Sequence, residues 1–268
     1  MIKSLKACLH LWESDPHVHF VIIRSDLEKA FCAGGDLKEV YEAAHRQDHA
    51  FLETFFEEEY SLNQMIFSYK KPYVSLMQGI TMGGGMGITA HGSHRIVTDN
   101  SVLAMPEVFI GFFPDAGASY FLNKCPGKIG LLMGLSGYRM NAADALYAGV
   151  ATHYVTAQGL NTLFHALVET DISQNPREGI QAILEIFSSV PAMISPLEKN
   201  RAQIDDYFQE ENISDLLIGL RLSKSHWIQE IRKKMEEASP LSLAITHHLF
   251  KKAKGLSFSE AMHGELRL

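Results

Sequence analysis

The chain has 268 residues, 46% of them hydrophobic, and a net charge of −7 at pH 7. This supplies enough apolar side chains for a large core in one or two domains. The acidic balance, with scattered Lys and Arg, does not favour a nucleic-acid surface. No apolar run is long enough to cross a bilayer, so no membrane contact is predicted. Three widely spaced cysteines and no leader pattern predict reduced thiols in a cytoplasmic protein.

The first third of the chain predicts a glycine turn that feeds a helix. Apolar spacing predicts a helix over residues 1–13, a short strand over 18–23 and a longer helix over 50–68. Between the strand and the longer helix, Gly34 and Gly35 open a helix at Leu37. Glycine at such a turn permits unusual backbone conformations and close approach of a ligand.

A second glycine turn follows about 50 residues later. Residues 71–77 predict a buried strand, residues 79–87 hold four glycines within five positions, and residues 88–90 predict a short helix. Free N–H groups at such a turn suit an anion, although tight packing alone would also explain the glycines. A phosphate loop is disfavoured because no Lys-Ser/Thr pair follows them. Two such turns could converge on one atom as an oxyanion hole.

Carboxylates stand within apolar sequence at three places. In the helix over 50–68, Glu58 or Glu59 falls on or beside the apolar stripe, where it either reaches solvent or is functional. Glu107 and Asp115 are surrounded by Phe, Val and Ile. Burial would raise their pKa values, and the pair could divide acid, base or nucleophile roles. Alternatively each carboxylate caps a local turn, with Asp115 capping a helix from Gly117.

The rest of the chain predicts an α/β class followed by helices. Strands are predicted over 95–98, 102–105 and 151–155, with helices over 128–135 and 141–149 between them. From residue 160 onward the pattern is helical. Two prolines in the loop 188–200 place a boundary there, which gives a core of residues 1–190 and a C-terminal helical region of residues 191–268. The histidines have no company typical of a metal site, so none is predicted.

Residues 31–36, 79–85, 105–107 and 113–115 resemble ordered motifs of the crotonase (enoyl-CoA hydratase/isomerase) superfamily. Within it they are most similar to the 3-hydroxyisobutyryl-CoA hydrolase branch, and similar segments continue to residues 265–268. The resemblance covers nearly the whole chain. It implies a ββα spiral core with a C-terminal helical region, and an acyl-CoA substrate.

The resemblance also implies roles for single residues. The N–H groups of Gly35 and Gly84 would hold the thioester oxygen, and Glu107 would attack the thioester carbon or activate water. Asp115 would contact the 3-hydroxyl end of the substrate and assist proton transfer, and Glu59 would line the substrate site.

Three further positions belong to the same expectation. Ala33, Gly35 and Lys38 would contact CoA, with Lys38 near a phosphate, and Asp36 would cap the loop. CoA is part of the substrate, so no separate cofactor is expected.

One departure distinguishes branches of the superfamily. Hydratases of this family place a glutamate three residues after the oxyanion glycine, where this sequence has Gly87. Loss of one of two water-positioning carboxylates argues against hydration. The expected reaction is therefore hydrolysis of a short 3-hydroxyacyl-CoA thioester, in particular 3-hydroxyisobutyryl-CoA of valine degradation. An enoyl-CoA isomerase or hydratase of fatty-acid oxidation is the alternative enzyme.

A second departure keeps a non-catalytic interpretation open. The N-terminal strand pair of the family, with its CoA-contacting segment, is not found, and the family continues beyond the segment at 265–268. A truncated paralogue that serves as a binding or oligomer partner would fit this pattern. The retained Gly35, Gly84, Glu107 and Asp115 favour an enzyme. The resemblance also implies a homo-oligomer, a trimer or hexamer.

Overall fold

The computed structural model describes residues 1–27 and 29–268, in which short parallel strands alternate with helices before a helical C-terminal part. The strands are β1 (Val21–Ile23), β2 (Ala30–Cys32), β3 (Tyr73–Met77), β4 (Ile80–Met82), β5 (His94–Val97), β6 (Val102–Ala104) and β7 (His153–Tyr154). The helices are α1 (Ile2–Ser14), α2 (Leu37–His45), α3 (His49–Phe67), α4 (Gly84–Gly87), α5 (Ala118–Phe121), α6 (Ile129–Ser136), α7 (Ala142–Tyr147), α8 (Ala157–Glu169), α9 (Pro176–Phe187), α10 (Pro196–Lys199), α11 (Arg201–Tyr207), α12 (Ile213–Leu222), α13 (His226–Glu237), α14 (Pro240–Ala253) and α15 (Phe258–Leu266). Two 3-10 helices cover Glu107–Ile110 and Leu122–Lys124.

Consecutive strands enter two different parallel sheets. The odd-numbered strands form one sheet in the order β1-β3-β5-β7, and the even-numbered strands form the other in the order β2-β4-β6. Each ββα unit therefore contributes one strand to each sheet, and parallel sheets of this kind need helices to cover them. The predicted α/β class with a ββα spiral is confirmed.

The second glycine segment differs from its prediction. A separate strand, β4, ends directly before the glycines, and the glycines themselves form α4, whereas a helix was predicted over 88–90. The reason is close packing, because a Cβ on Gly85 would lie 2.5 Å from the carbonyl oxygen of Cys32 in β2. Only glycine lets this helix approach the strand so closely, and this outweighs its poor helix propensity.

The C-terminal region is helical as predicted, and a helix also lies within the predicted boundary loop. Helix α10 starts at Pro196 inside the predicted boundary loop, and Ser195 caps it by accepting from the Glu198 N–H at 3.0 Å. Proline suits the first helical position, so Pro196 starts a helix rather than interrupting one. Buried residues from before and after residue 190, such as Leu132 and Phe250, share one hydrophobic cluster. The boundary at 190 stays a prediction.

Contacts between helices position the segments that form the candidate site. Helix α2 packs against α3, and α15 packs against both α3 and α5. All three cysteines are free. Of the described residues, no helix is both long and apolar enough to cross a membrane, and no three His, Cys, Asp or Glu side chains cluster closely enough to hold a metal ion.

Candidate active site

A cavity of about 1190 Å³ lies where the three strands of the smaller sheet end. β2 is followed by Gly34 and Gly35, β4 by Gly83 and Gly84, and β6 by the segment that carries Glu107. Because the strands are parallel, their carboxyl ends meet at one edge, which is where α/β proteins place their ligands. All five residues line the cavity, although they come from segments up to about 70 residues apart in sequence.

The two glycine turns bring two backbone N–H groups together. A Cβ on Gly84 would lie 3.6 Å from the Gly35 nitrogen, and one on Gly34 would lie 3.7 Å from the Gly84 nitrogen. Within the part of the chain that the structure describes, neither the Gly35 nor the Gly84 N–H donates to a protein acceptor. An N–H at the first helical position has no partner within the helix. Both donors are therefore free to hold an oxygen of a ligand.

Glycine is required at two positions of the second turn. Gly83 has a φ of 55°, and a Cβ there would lie 3.0 Å from Glu107 Oε1. A Cβ on Gly84 would collide with Glu59 Oε1. The absence of side chains thus leaves space for two carboxyl groups to approach the main chain.

Glu107 begins the 3-10 helix after β6 and is 6% exposed. Burial raises the pKa of its carboxyl to about 8, with smaller contributions from the charges of Glu59 and Glu265. Among the described residues, nothing donates a hydrogen bond to Glu107 Oε2. Since buried polar atoms are nearly always paired, an unpaired oxygen beside a cavity indicates a group that a ligand completes.

Asp115 is equally buried, and it is not a helix cap. The N-cap of α5 is Gly117, and no side chain caps that helix, so the capping alternative for Asp115 is wrong. Burial, together with the charges of Glu107, Glu59 and Glu265, raises the pKa of Asp115 well above its ordinary value. A carboxyl group in this setting favours its neutral form and can donate a proton.

Of Glu58 and Glu59 on α3, Glu59 is the one that lines the cavity. It is 7% exposed and shares a helix face with the buried residues Leu62, Asn63 and Ile66. Burial raises the pKa of Glu59 to about 7. Glu58 is half-buried and instead forms an ion pair with Lys6 at 2.7 Å.

Gly87 leaves no room for a glutamate. A Cβ there would lie 2.8 Å from the Ala116 Cβ and 3.1 Å from Asn63 Oδ1. Gly87 and Asn63 are both buried. The place that carries a carboxylate in the family's hydratases is thus filled by neighbouring side chains.

The residues predicted to contact CoA lie in different places. Ala33 lines the cavity, but Lys38 is exposed on α2 and does not line it. Asp36 caps α2 as predicted, accepting from the Glu39 N–H at 3.2 Å.

Sequence reasoning missed other lining residues. The cations at the cavity are Arg139 and Lys234, both exposed side chains from distant segments. Aromatic side chains complete the walls at Phe55, Phe56, Phe109 and Phe112. No local sequence pattern distinguishes these residues, because only tertiary packing brings them to the cavity.

The ββα spiral, with glycine turns and buried carboxyls around one cavity, defines a crotonase-type protein. A family model described as enoyl-CoA hydratase/isomerase matches residues 1–268, and the chain belongs to that family. The resemblance inferred from the sequence is therefore confirmed.

Curated relatives agree over the whole chain. The mitochondrial 3-hydroxyisobutyryl-CoA hydrolase of Xenopus tropicalis is 38% identical over 272 residues, covering 100% of this chain and 70% of the relative. The Homo sapiens protein of the same name is 35% identical over 275 residues, with the same coverage of both chains.

Solved structures show the same fold under other names. The structure of a carnitinyl-CoA dehydratase from Mycobacterium thermoresistibile has a TM-score of 0.92 and 36% identity, covering 99% of this chain and 76% of that chain. The structure of an enoyl-CoA hydratase from Rhodobacter sphaeroides 2.4.1 has a TM-score of 0.88 and 34% identity, covering 100% of this chain and 75% of that chain.

Proposed function

We propose that this protein is an acyl-CoA thioester hydrolase acting on 3-hydroxyisobutyryl-CoA. The observation that carries the proposal is Oε2 of Glu107, which has no hydrogen-bond partner among the described residues and lies in the same cavity as the N–H groups of Gly35 and Gly84. The relatives named 3-hydroxyisobutyryl-CoA hydrolase support the same substrate. CoA enters as part of the substrate, and the reaction needs no other cofactor. A role in valine degradation would follow from this substrate.

The two glycines act on the thioester oxygen. When the thioester carbon is attacked, negative charge develops on its oxygen, and two fixed N–H donors stabilise that charge. Removing one such donor typically lowers the rate on the order of 10²–10³-fold. The aromatic walls exclude water, which strengthens these hydrogen bonds.

Glu107 supplies the attacking oxygen in one of two ways. Its carboxylate adds to the thioester carbon, the C–S bond breaks, and water then hydrolyses the resulting anhydride. Alternatively it removes a proton from a water that attacks directly. In both routes the thiolate of CoA takes up a proton, which the neutral form of Asp115 can donate. Asp115 and Glu59 also line the space for the acyl group.

Gly87 disfavours hydration of an enoyl-CoA. Hydration in this family uses two carboxylates around one water, and Asn63 and Ala116 occupy the place of one of them. The hydratase and dehydratase names of the solved structures describe those proteins and do not assign hydration to this chain. If the thiol-release assay finds enoyl-CoA isomerisation or hydration in place of thioester hydrolysis, that reaction becomes the assigned function.

CoA binding is proposed at the cation-bearing rim. Arg139 and Lys234 line the cavity and are exposed enough to meet phosphate groups, whereas Lys38 would have to reach a part of CoA outside the cavity. Assembly into a trimer or hexamer stays a prediction that sedimentation of the purified chain would test.

A thiol-release assay tests the proposal. Purified protein is mixed with 3-hydroxyisobutyryl-CoA, and free CoASH is measured alongside hydration and isomerisation of enoyl-CoA substrates. We expect CoASH release that is lost in Glu107→Gln and kept in Glu57→Gln, since Glu57 is exposed on α3. No CoASH above background would refute the hydrolase assignment. Label in Glu107 after a single turnover in ¹⁸O-water would establish the anhydride route, because water that attacks the Glu107 carbonyl of the anhydride leaves its oxygen there.

A further inference from the structure

Helix α15 carries a buried carboxylate that the proposed reaction does not use. Phe258, Ala261, Met262 and Glu265 follow the spacing of one helix face, and all four are buried. Three of them are apolar, whereas Glu265 is an acid that is 1% exposed. A buried carboxylate is costly unless it is paired, so its hydrogen-bond partners define its role.

Both oxygens of Glu265 accept hydrogen bonds from a single turn. Oε2 accepts from the Gly117 N–H at 2.8 Å, and Oε1 accepts from the Ser119 N–H at 2.8 Å and from the Ser119 hydroxyl. Burial raises the pKa of Glu265 to about 7, and the three hydrogen bonds from Gly117 and Ser119 oppose the rise by favouring the ionised form.

This turn directly follows Asp115. Ala116 has a φ of 54°, a left-handed conformation that non-glycine residues rarely adopt. The ring of His91 hydrogen-bonds the Ala116 carbonyl oxygen at 2.9 Å. In the described part of the chain, no side chain donates a hydrogen bond to the Asp115 carboxyl. The direction of the Asp115 carboxyl therefore follows that of the backbone that carries it, and this backbone continues into the left-handed turn at residues 116–119.

We propose that Glu265 is a positioning residue that holds Asp115 toward the 3-hydroxyl end of the substrate. It acts through the Gly117 and Ser119 backbone and touches no reacting atom. This inference rests on the proposed function for its choice of substrate, and it gives the C-terminal helix a part in selecting 3-hydroxyacyl groups.

The hydrogen bonds from Gly117 and Ser119 require that both terminal atoms of side chain 265 are acceptors. In Glu265→Gln one of the two positions becomes an NH₂ group, which would face a backbone N–H and cannot accept from it. The turn would then lose at least one of its anchors, while the size of the side chain is unchanged. Glu260→Gln on the same helix is the matched control, because Glu260 is exposed and glutamine also serves in its capping box.

The experiment compares two substrates that differ by one hydroxyl group, 3-hydroxyisobutyryl-CoA and isobutyryl-CoA. The selectivity, the ratio of their kcat/KM values, is measured for wild type, Glu265→Gln, Asp115→Asn and the double variant. We expect selectivity to fall about tenfold in each single variant, which corresponds to the loss of one hydrogen bond to the substrate hydroxyl. The double variant should be no less selective than Asp115→Asn alone, since both changes act through Asp115. Glu260→Gln should keep the wild-type ratio.

Two results would overturn the proposal. One is an equal loss on both substrates in Glu265→Gln, which would mean a general structural role. The other is an additive loss of selectivity in the double variant, which would mean that Glu265 acts independently of Asp115.

Hydrogen exchange separates this inference from the proposed function. If the wild type releases no CoASH, the proposed function fails, and exchange of the Gly117 and Ser119 amides then decides the positioning role. We expect faster exchange at these amides in Glu265→Gln and unchanged exchange in Glu260→Gln. Unchanged exchange in Glu265→Gln would show that Glu265 does not hold the turn.

Discussion

Two buried carboxyls show how differently this chain treats the same chemical group. Asp144 accepts from the Ser195 hydroxyl at 2.7 Å, the Leu197 N–H at 3.0 Å and the Tyr138 hydroxyl at 3.0 Å. Glu107 is also buried, yet its Oε2 has no protein donor among the described residues. Burial alone therefore does not separate a structural carboxylate from a functional one, whereas the set of donors does.

The regions around Asp144 and Glu107 are organised for different purposes. The donors around Asp144 join α7 to the start of α10, so this carboxylate fixes one part of the fold to another. Around Glu107 the nearest charged groups are other acids, and burial raises the pKa values of Glu59 and Asp115 as well. A site that keeps unpaired acids together loses stability in order to remain open to a ligand.

The largest expected effect comes from removing the unpaired carboxyl. Glu107→Gln should lower kcat for thioester hydrolysis on the order of 10³-fold, because the attacking or basic group is lost. The midpoint of thermal unfolding should stay the same or rise, since the amide carries no charge to desolvate. The two measurements are CoASH release and calorimetry. A large fall in the unfolding midpoint would make Glu107 structural and would remove the contrast with Asp144.

The paired carboxyl should give the opposite result. Asp144→Ala leaves several buried donors without an acceptor and should cost about 3 kcal/mol of unfolding free energy. The kcat per folded molecule should be unchanged, because Asp144 does not line the cavity.

Asp215→Ala is the matched control for that change. Asp215 stands three residues after an asparagine cap, as Asp144 does, but in an exposed position, so its loss should cost at most about 0.5 kcal/mol. Urea unfolding of the two variants measures both values. Equal costs would show that the buried donor set contributes nothing.

The sequence predicted the helices better than the strands, for a physical reason. Helices α12 and α15 lie in the stretch predicted to be helical from residue 160 onward, because a 3.6-residue period is repeated over several turns. Strands β2 and β4 were missed, because each runs directly into a glycine turn and its residues were assigned to that turn.

The residues of the candidate site were likewise predictable only where a local sequence pattern marked them. Glu107 and Asp115 stood out as charges within apolar sequence, whereas Arg139 and Lys234 reach the cavity only through tertiary packing. Glu265 could have been found, because the apolar spacing of α15 continues onto it.

Gly84→Ala should have the next largest effect, because the added Cβ acts directly on the buried acids. A Cβ at this position collides with the buried Glu59 carboxyl and displaces the N–H that would hold the thioester oxygen, so kcat should fall on the order of 10²-fold. Gly264→Ala is the control, since nothing lies within 4 Å of a Cβ there. Within a helix this change should stabilise by about 0.5–1 kcal/mol. Wild-type kinetics in Gly84→Ala would exclude its N–H from the reaction.

The smallest effect, counted per pH unit, is the pH dependence of stability that the acids at the cavity cause. The pKa values of Glu59 and Glu107, about 7 and about 8, lie above the ordinary value of 4.5, so the folded state binds more protons than the unfolded state. Their contribution to stability is fully present below pH 4.5 and is lost as pH rises through 7 and 8. Each carboxyl contributes a slope of up to about 1.4 kcal/mol per pH unit. Urea unfolding at several pH values measures this slope, and Glu59→Gln with Glu107→Gln should flatten it.

Activity should move in the opposite direction over the same pH range. Ionisation of Glu107 creates the attacking or basic carboxylate, so kcat/KM for 3-hydroxyisobutyryl-CoA should rise with pH and level off above about 8. Stability would then fall while activity rises, which is expected if the same desolvated acids cause both. Parallel pH profiles of activity and stability would contradict this common origin. The charges of Glu59 and Glu265 raise the pKa of Glu107, and the charge of Glu107 in turn raises the pKa of Asp115. Neutralising Glu59 should therefore shift the activity profile toward lower pH without changing its shape.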